Sequence, residues 1–128
     1  MRKEESLQIA VCNYLRLQYP AVIFTCDLAS GMKLTMGQAV RATKMRSSRG
    51  LPDLFIAEPR GGYAGMFIEL KKEGTKIILN NGQMTADKHI QEQAEILKKL
   101  QAKGYDAIFC VGFNEAKKMI DNYMNSPK

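Results

Sequence analysis

Apolar residues recur at Leu7, Ala10, Val11, Tyr14 and Leu15, the spacing of one helix face, and predict a helix over Glu4 to Leu17 that packs on a sheet. Tyr19-Pro20 stops it, because the residue before a proline is pushed out of helical geometry. Ala21 to Cys26 carries no charge and reads as a buried strand, followed by a loop over Asp27 to Gly31. Gly37 to Met45 is weakly helical, with Ala39, Val40 and Ala42 among basic residues, and Ser47 to Gly50 ends it. Leu54-Phe55-Ile56-Ala57 and Met66-Phe67-Ile68 are short runs of strand formers around the turn chemistry of Pro59-Arg60-Gly61-Gly62; they predict an antiparallel hairpin. Asn81-Gly82 marks a turn inside a polar excursion from Lys72 to Met84, a small flap. Thr85 or Asp87 then caps a helix with Ile90, Ala94, Leu97 and Leu100 on one face, and Gly104 stops it. Tyr105 to Gly112, with Ala107 to Val111 continuously apolar, reads as a strand buried on both faces. Asn114 is expected to cap a last helix over Glu115 to Tyr123, whose apolar residues are Ala116, Met119, Ile120 and Tyr123.

A chain of 128 residues is long enough for one core and too short for two, so residues 1–128 are expected to form a single domain. The 45% apolar and 25% charged content is that of a globular protein. No apolar run is long enough to span a bilayer and no basic-then-apolar leader opens the chain, so a cytoplasmic protein with no membrane partner is expected. Cys12, Cys26 and Cys110 lie far apart in apolar segments and read as core residues, with no zinc or disulfide spacing. The single histidine, His89, argues against a histidine metal cluster or a Ser-His-Asp triad. The net charge of +6 is uneven: residues 28 to 52 hold Lys33, Arg41, Lys44, Arg46 and Arg49 with no acid. A basic run that leads directly into Pro52-Asp53 reads as a phosphate-tracking surface, against the plainer alternative of a solvated face.

The chemistry concentrates on the hairpin. Side chains two apart on a strand share a face, so Glu69 and Lys71 point one way while Ile68 and Leu70 point the other. Asp53 stands at the mouth of the first strand, where pairing can bring it close to Glu69. Two carboxylates about 4 Å apart repel by roughly 4 kcal/mol at an effective dielectric of about 20. A hard divalent cation with oxygen ligands is the natural offset. Glu4 falls on the buried-facing side of the first helix and Glu5 about 100° away. A first-turn glutamate is also explained by the helix dipole alone.

Pro52-Asp53 with Glu69-Leu70-Lys71 resembles the signature of the PD-(D/E)xK nuclease superfamily. Across nearly the whole chain the sequence is similar to the virus-type replication-repair nuclease (VRR-NUC) family within it. The matching features are Glu4-Glu5-Ser6-Leu7-Gln8 opening a helix that ends in Tyr14-Leu15, then the basic segment before Gly50-Leu51-Pro52-Asp53, then Phe67-Ile68-Glu69-Leu70-Lys71, then His89-Ile90-Gln91-Glu92-Gln93. The resemblance implies an α/β, restriction-endonuclease-like core: a central mixed sheet flanked by helices in αβββαβ order, with an extra C-terminal helix. It implies a metal-dependent DNA endonuclease in which Asp53, Glu69 and the Leu70 backbone carbonyl hold magnesium, with manganese as a substitute. Glu4 would hold water or a second ion, with Glu5 its rival; Lys71 would be the catalytic lysine and Gln93 the helix glutamine. His89, one turn before Gln93, is kept as a structural or substrate-contacting residue. Short stand-alone members resemble phage enzymes, which implies a homodimer acting on branched DNA such as Holliday junctions, in the cytoplasm of a bacterial host and with no nucleotide cofactor. A noncatalytic nucleic-acid-binding module of the same fold, or a nickase of any duplex, are the alternatives.

Overall fold

A computed structural model describes residues 3–27, 34–47 and 50–128. The elements run α1 (Lys3–Gln18), β1 (Phe24–Cys26), α2 (Met36–Lys44), β2 (Leu54–Ile56), β3 (Met66–Lys71), α3 (Lys88–Ala102), β4 (Asp106–Val111) and α4 (Phe113–Met124). The strands form one mixed sheet in the order β1-β2-β3-β4. The first two pairings are antiparallel, and β3 and β4, joined through α3, run parallel.

Strand alternation divides the sheet into two faces with different tasks. Leu54, Ile56, Met66, Ile68, Leu70 and Cys110 face α1 and α4 and form the larger core with Val11, Leu15, Ala116, Ile120 and Tyr123. The other face is thinner: Phe67 and Ala107 pack with Leu97 and Leu100 of α3, with Phe55 and Tyr105 at the margin. Phe55 and Phe67 stack with ring centroids 4.5 Å apart, and Tyr105 meets both edge-on. α3 covers β4, which leaves the β1–β2 half of this face open, with α2 standing over it.

The two outer helices are locked together by polar groups. The Tyr14 and Tyr19 hydroxyls both donate to Asp121 Oδ1, which Lys117 also approaches through the other oxygen at 3.2 Å. Tyr123 Oη donates to the Glu58 carbonyl at 2.6 Å, tying α4 to the hairpin.

Three local expectations are corrected and one open alternative is decided. The run Ala21 to Cys26 yields a strand of only three residues, half-exposed, because β1 is a sheet edge paired with β2 alone, and Ile23 projects to solvent. β4 is also an edge, so only Ala107 and Cys110 are fully buried there. α4 begins two residues early: Gly112 is its N-cap at φ 82, a backbone glycine adopts without penalty, and Asn114 lies inside the first turn. Asp87, and not Thr85, caps α3, accepting from the His89 and Ile90 amides. The excursion after β3 closes on itself through an Ile78–Met84 bridge, as its turn chemistry predicted.

Candidate active site

The antiparallel registers place Thr25 opposite Phe55 and Phe55 opposite Phe67. Two residues along the same face, continuing those registers, come Asp27, Asp53 and Glu69. A hydrogen bond from the Asp27 amide to the Asp53 carbonyl, 2.7 Å, extends the ladder to that row. The sheet therefore forms a floor with an aromatic row and, one side-chain step beyond it, a carboxylate row.

Over this floor lies an open cleft of about 1140 Å³. One wall is α2, through Gln38, Arg41 and Ala42, with its C-cap Met45; the other is α3, through His89, Glu92, Gln93 and Ile96. Glu4 closes one end from the first turn of α1, and Glu5 is not among the lining residues. Glu4 is exposed, contrary to the buried-facing placement that helix periodicity suggested, because the helix start overhangs the open cleft rather than the sheet core. Arg41 and Arg46 line the cleft and Lys44 does not. Lys33 and Arg49 lie outside the described residues.

Asp53 and Glu69 are 6% and 7% exposed, an unusual burial for two acids. Each is held by a neighbour. Asp53 Oδ2 accepts the Leu70 amide at 2.8 Å, and Glu69 Oε1 accepts Gln93 Nε2 at 3.0 Å. The two carboxyls also hydrogen-bond to each other, and the Asp53 backbone amide donates to Glu69. The Gln93 amide also meets His89 Nε2 at 3.2 Å, while its own Oε1 is buried with no protein partner. Burial, together with the adjacent Asp53 carboxylate, pushes the Glu69 carboxyl up to about 9, against the opposing pull of Lys71. Bringing the second negative charge into this site is costly without a cation.

A model of the VRR-NUC domain matches residues 2–114. The chain belongs to the VRR-NUC family. A solved structure described as a "VRR_NUC domain protein" superposes with a TM-score of 0.70 at 23% identity, covering 100% of this chain and 93% of that one. At that identity the likeness is one of fold, and it agrees with the restriction-endonuclease-like architecture. No curated protein matches the sequence significantly.

Glu4, Asp53, Glu69, Lys71 and Gln93 all line one cleft. Among the described residues, no three His, Cys, Asp or Glu side chains gather closely enough to hold an ion unaided. The protein thus offers two clustered carboxylates with Glu4 farther off. That donor set fits magnesium, which keeps several of its waters and takes one or two carboxylates. Also among the described residues, no helix is long and apolar enough to cross a membrane.

Two features were missed in the sequence. Asp27, assigned to a loop, stands beside Asp53, because β1 pairs with β2 in a register that sets Asp27 opposite Asp53. Cys12 and Cys26, read as separate core residues, meet as half-buried neighbours. A hydrogen bond from the Cys26 thiol, with Arg16 assisting against burial, lowers Cys12 to about 7, whereas burial holds Cys110 up at about 12.

Proposed function

We propose that the protein is a magnesium-dependent endodeoxyribonuclease that acts as a homodimer on branched DNA such as Holliday junctions. The observation that carries the nuclease reading is the buried Asp53–Glu69 pair, in mutual contact and each oriented by a neighbour, with Lys71 beside it in a cleft walled by Arg41 and Arg46.

Asp53, Glu69 and the Leu70 carbonyl would hold the ion, which when bound supplies Lewis acidity toward a phosphate oxygen and toward water. The hydrogen bonds from the Leu70 amide and from Gln93 fix both carboxylates in orientation before any ion arrives. Lys71 orients the attacking water or stabilises negative charge on the phosphate as the phosphorus–oxygen bond breaks. Glu4, exposed at the mouth, positions water or a second ion. Arg41 and Arg46 hold the strand by its phosphates. A two-fold dimer would present two such clefts to a symmetric junction.

The test is cleavage of labelled four-way junction, flap and linear duplex with magnesium, beside mass measurement by light scattering. Cleavage abolished by Asp53→Asn supports the nuclease reading, and its persistence removes it. A monomeric mass with equal rates on all substrates would overturn the dimer and junction assignments and leave a duplex nickase. Tight binding with no cleavage would indicate the noncatalytic module.

A further inference from the structure

The carboxylate row explains only half of the cleft floor. One step away on the same face, Phe55 and Phe67 stack at 4.5 Å and Tyr105 stands edge-on to both, at 6.2 Å and 5.1 Å. All three line the same cleft as Asp53 and Glu69, and Ile96 of α3 borders them. Phe67 is nearly buried, whereas Phe55, Ile96 and Tyr105 stay partly open to the cleft. Phe55 follows Asp53 by two residues and Phe67 precedes Glu69 by two, so the rows are about 7 Å apart along the strands. That separation is comparable with the span of one nucleotide from phosphate to base.

We propose that the aromatic floor formed by Phe55, Phe67 and Tyr105 is a subsite for one unpaired nucleobase, adjoining the phosphate at the carboxylates. This rests on the nuclease reading of the same cleft and names the local structure that its substrate must have. A base stacked inside a duplex cannot reach the floor while its phosphate sits one step away between the α2 and α3 walls. A base turned out of the helix can, and an aromatic row receives it by its π face whatever its identity. The subsite therefore selects substrates whose bases are unpaired or readily unpaired at the scissile nucleotide: flaps, bulges, and junctions whose pairs open at the branch point. Paired DNA must first lose stacking and pairing to enter.

Two measurements test this. In the first, a flap carrying 2-aminopurine at the unpaired position beside the branch is bound to the wild-type protein in chelator, so that no cleavage is needed. Quenching of the probe on binding, absent when the probe lies within a continuous duplex, is the expected result; no quenching at any position around the branch overturns the proposal. In the second, cleavage is compared between a substrate with its base and the same substrate with an abasic residue there. The wild type should prefer the base-containing substrate by at least about fivefold, the smallest contribution expected of one stacked base. In Phe55→Leu and Tyr105→Leu that preference should fall toward one. A variant that merely weakens the fold slows both substrates together and keeps the ratio, and an unchanged ratio in both variants refutes the subsite. If the wild type cleaves nothing with magnesium, the nuclease reading fails, and the quenching result decides the subsite alone.

Discussion

Glu69→Gln is expected to make the metal-free protein more stable at neutral pH while abolishing cleavage. In the unfolded chain this carboxyl ionises near 4.5, and in the folded protein its proton stays until about 9. Folding therefore takes up a proton throughout that interval. The folded state is favoured fully below the lower value and loses stability as pH rises toward the upper one. At about pH 7 the native carboxyl is still protonated, so the cost depends only on the 2.5 or so pH units above the unfolded value; at about 1.4 kcal/mol per unit this is roughly 3 kcal/mol. Glutamine has no proton to acquire. Its amide can donate toward Asp53 as the protonated carboxyl does, and its carbonyl can still accept from Gln93. Urea denaturation in chelator should therefore show the variant ahead by up to about 3 kcal/mol at about pH 7 and nearly level with the wild type at about pH 5. Added magnesium should then raise the wild type more than the variant, because only the wild type gains an ion between two charged ligands. A variant less stable than the wild type in chelator at neutral pH would refute the reasoning, since it would mean that the Glu69 charge stabilises the fold without a cation.

Glu4→Gln should lower cleavage far more than Glu5→Gln, because only Glu4 lines the cleft; steady-state rates on one junction substrate decide it, and the reverse order would move the role to Glu5. Arg41→Ala with Arg46→Ala should weaken DNA binding and flatten its salt dependence by about 0.9 in log–log slope for each phosphate no longer neutralised, whereas Lys44→Ala should change little; titrations at several salt concentrations would show it. With a thiol lowered to about 7, Cys12 should react with iodoacetamide at neutral pH well before Cys110, which burial keeps near 12; peptide mapping after brief labelling gives the order, and labelling of Cys110 first would contradict it.

How much of this was legible in the residues follows from which signals are local. Periodicity found α1 and the apolar face of α3, and turn chemistry found the hairpin, because each depends on neighbours a few positions apart. The opposition of Asp53 and Glu69 came from hairpin register and was visible for the same reason. Sheet order was not visible in this way. That β1 and β4 are edges depends on which strands meet across the fold, and a charge-free run such as Ala21 to Cys26 reads the same for an edge packed on one side as for a central strand. Asp27 and the Cys12–Cys26 pairing were missed on that account, since both arise where β1 docks. Gly112 shows another limit: it takes the cap position through backbone freedom, which the better cap-former Asn114 masked.

The VRR-NUC match ends at residue 114, just inside α4, yet the chain beyond it is fastened to both elements that carry the carboxylates of the cleft. Asp121 receives Tyr14 of α1, the helix that delivers Glu4, and Tyr19 just past its end, and Tyr123 grips the hairpin that carries Asp53 and Glu69. Even the last turn participates: the Gly61 amide donates to the Pro127 carbonyl at 2.6 Å and Arg60 to that of Ser126 at 3.3 Å. Trimming back to the matched family segment would strip the brace while leaving every chemically active side chain in place. An inactive truncation of that kind would say nothing about which side chains of the cleft matter.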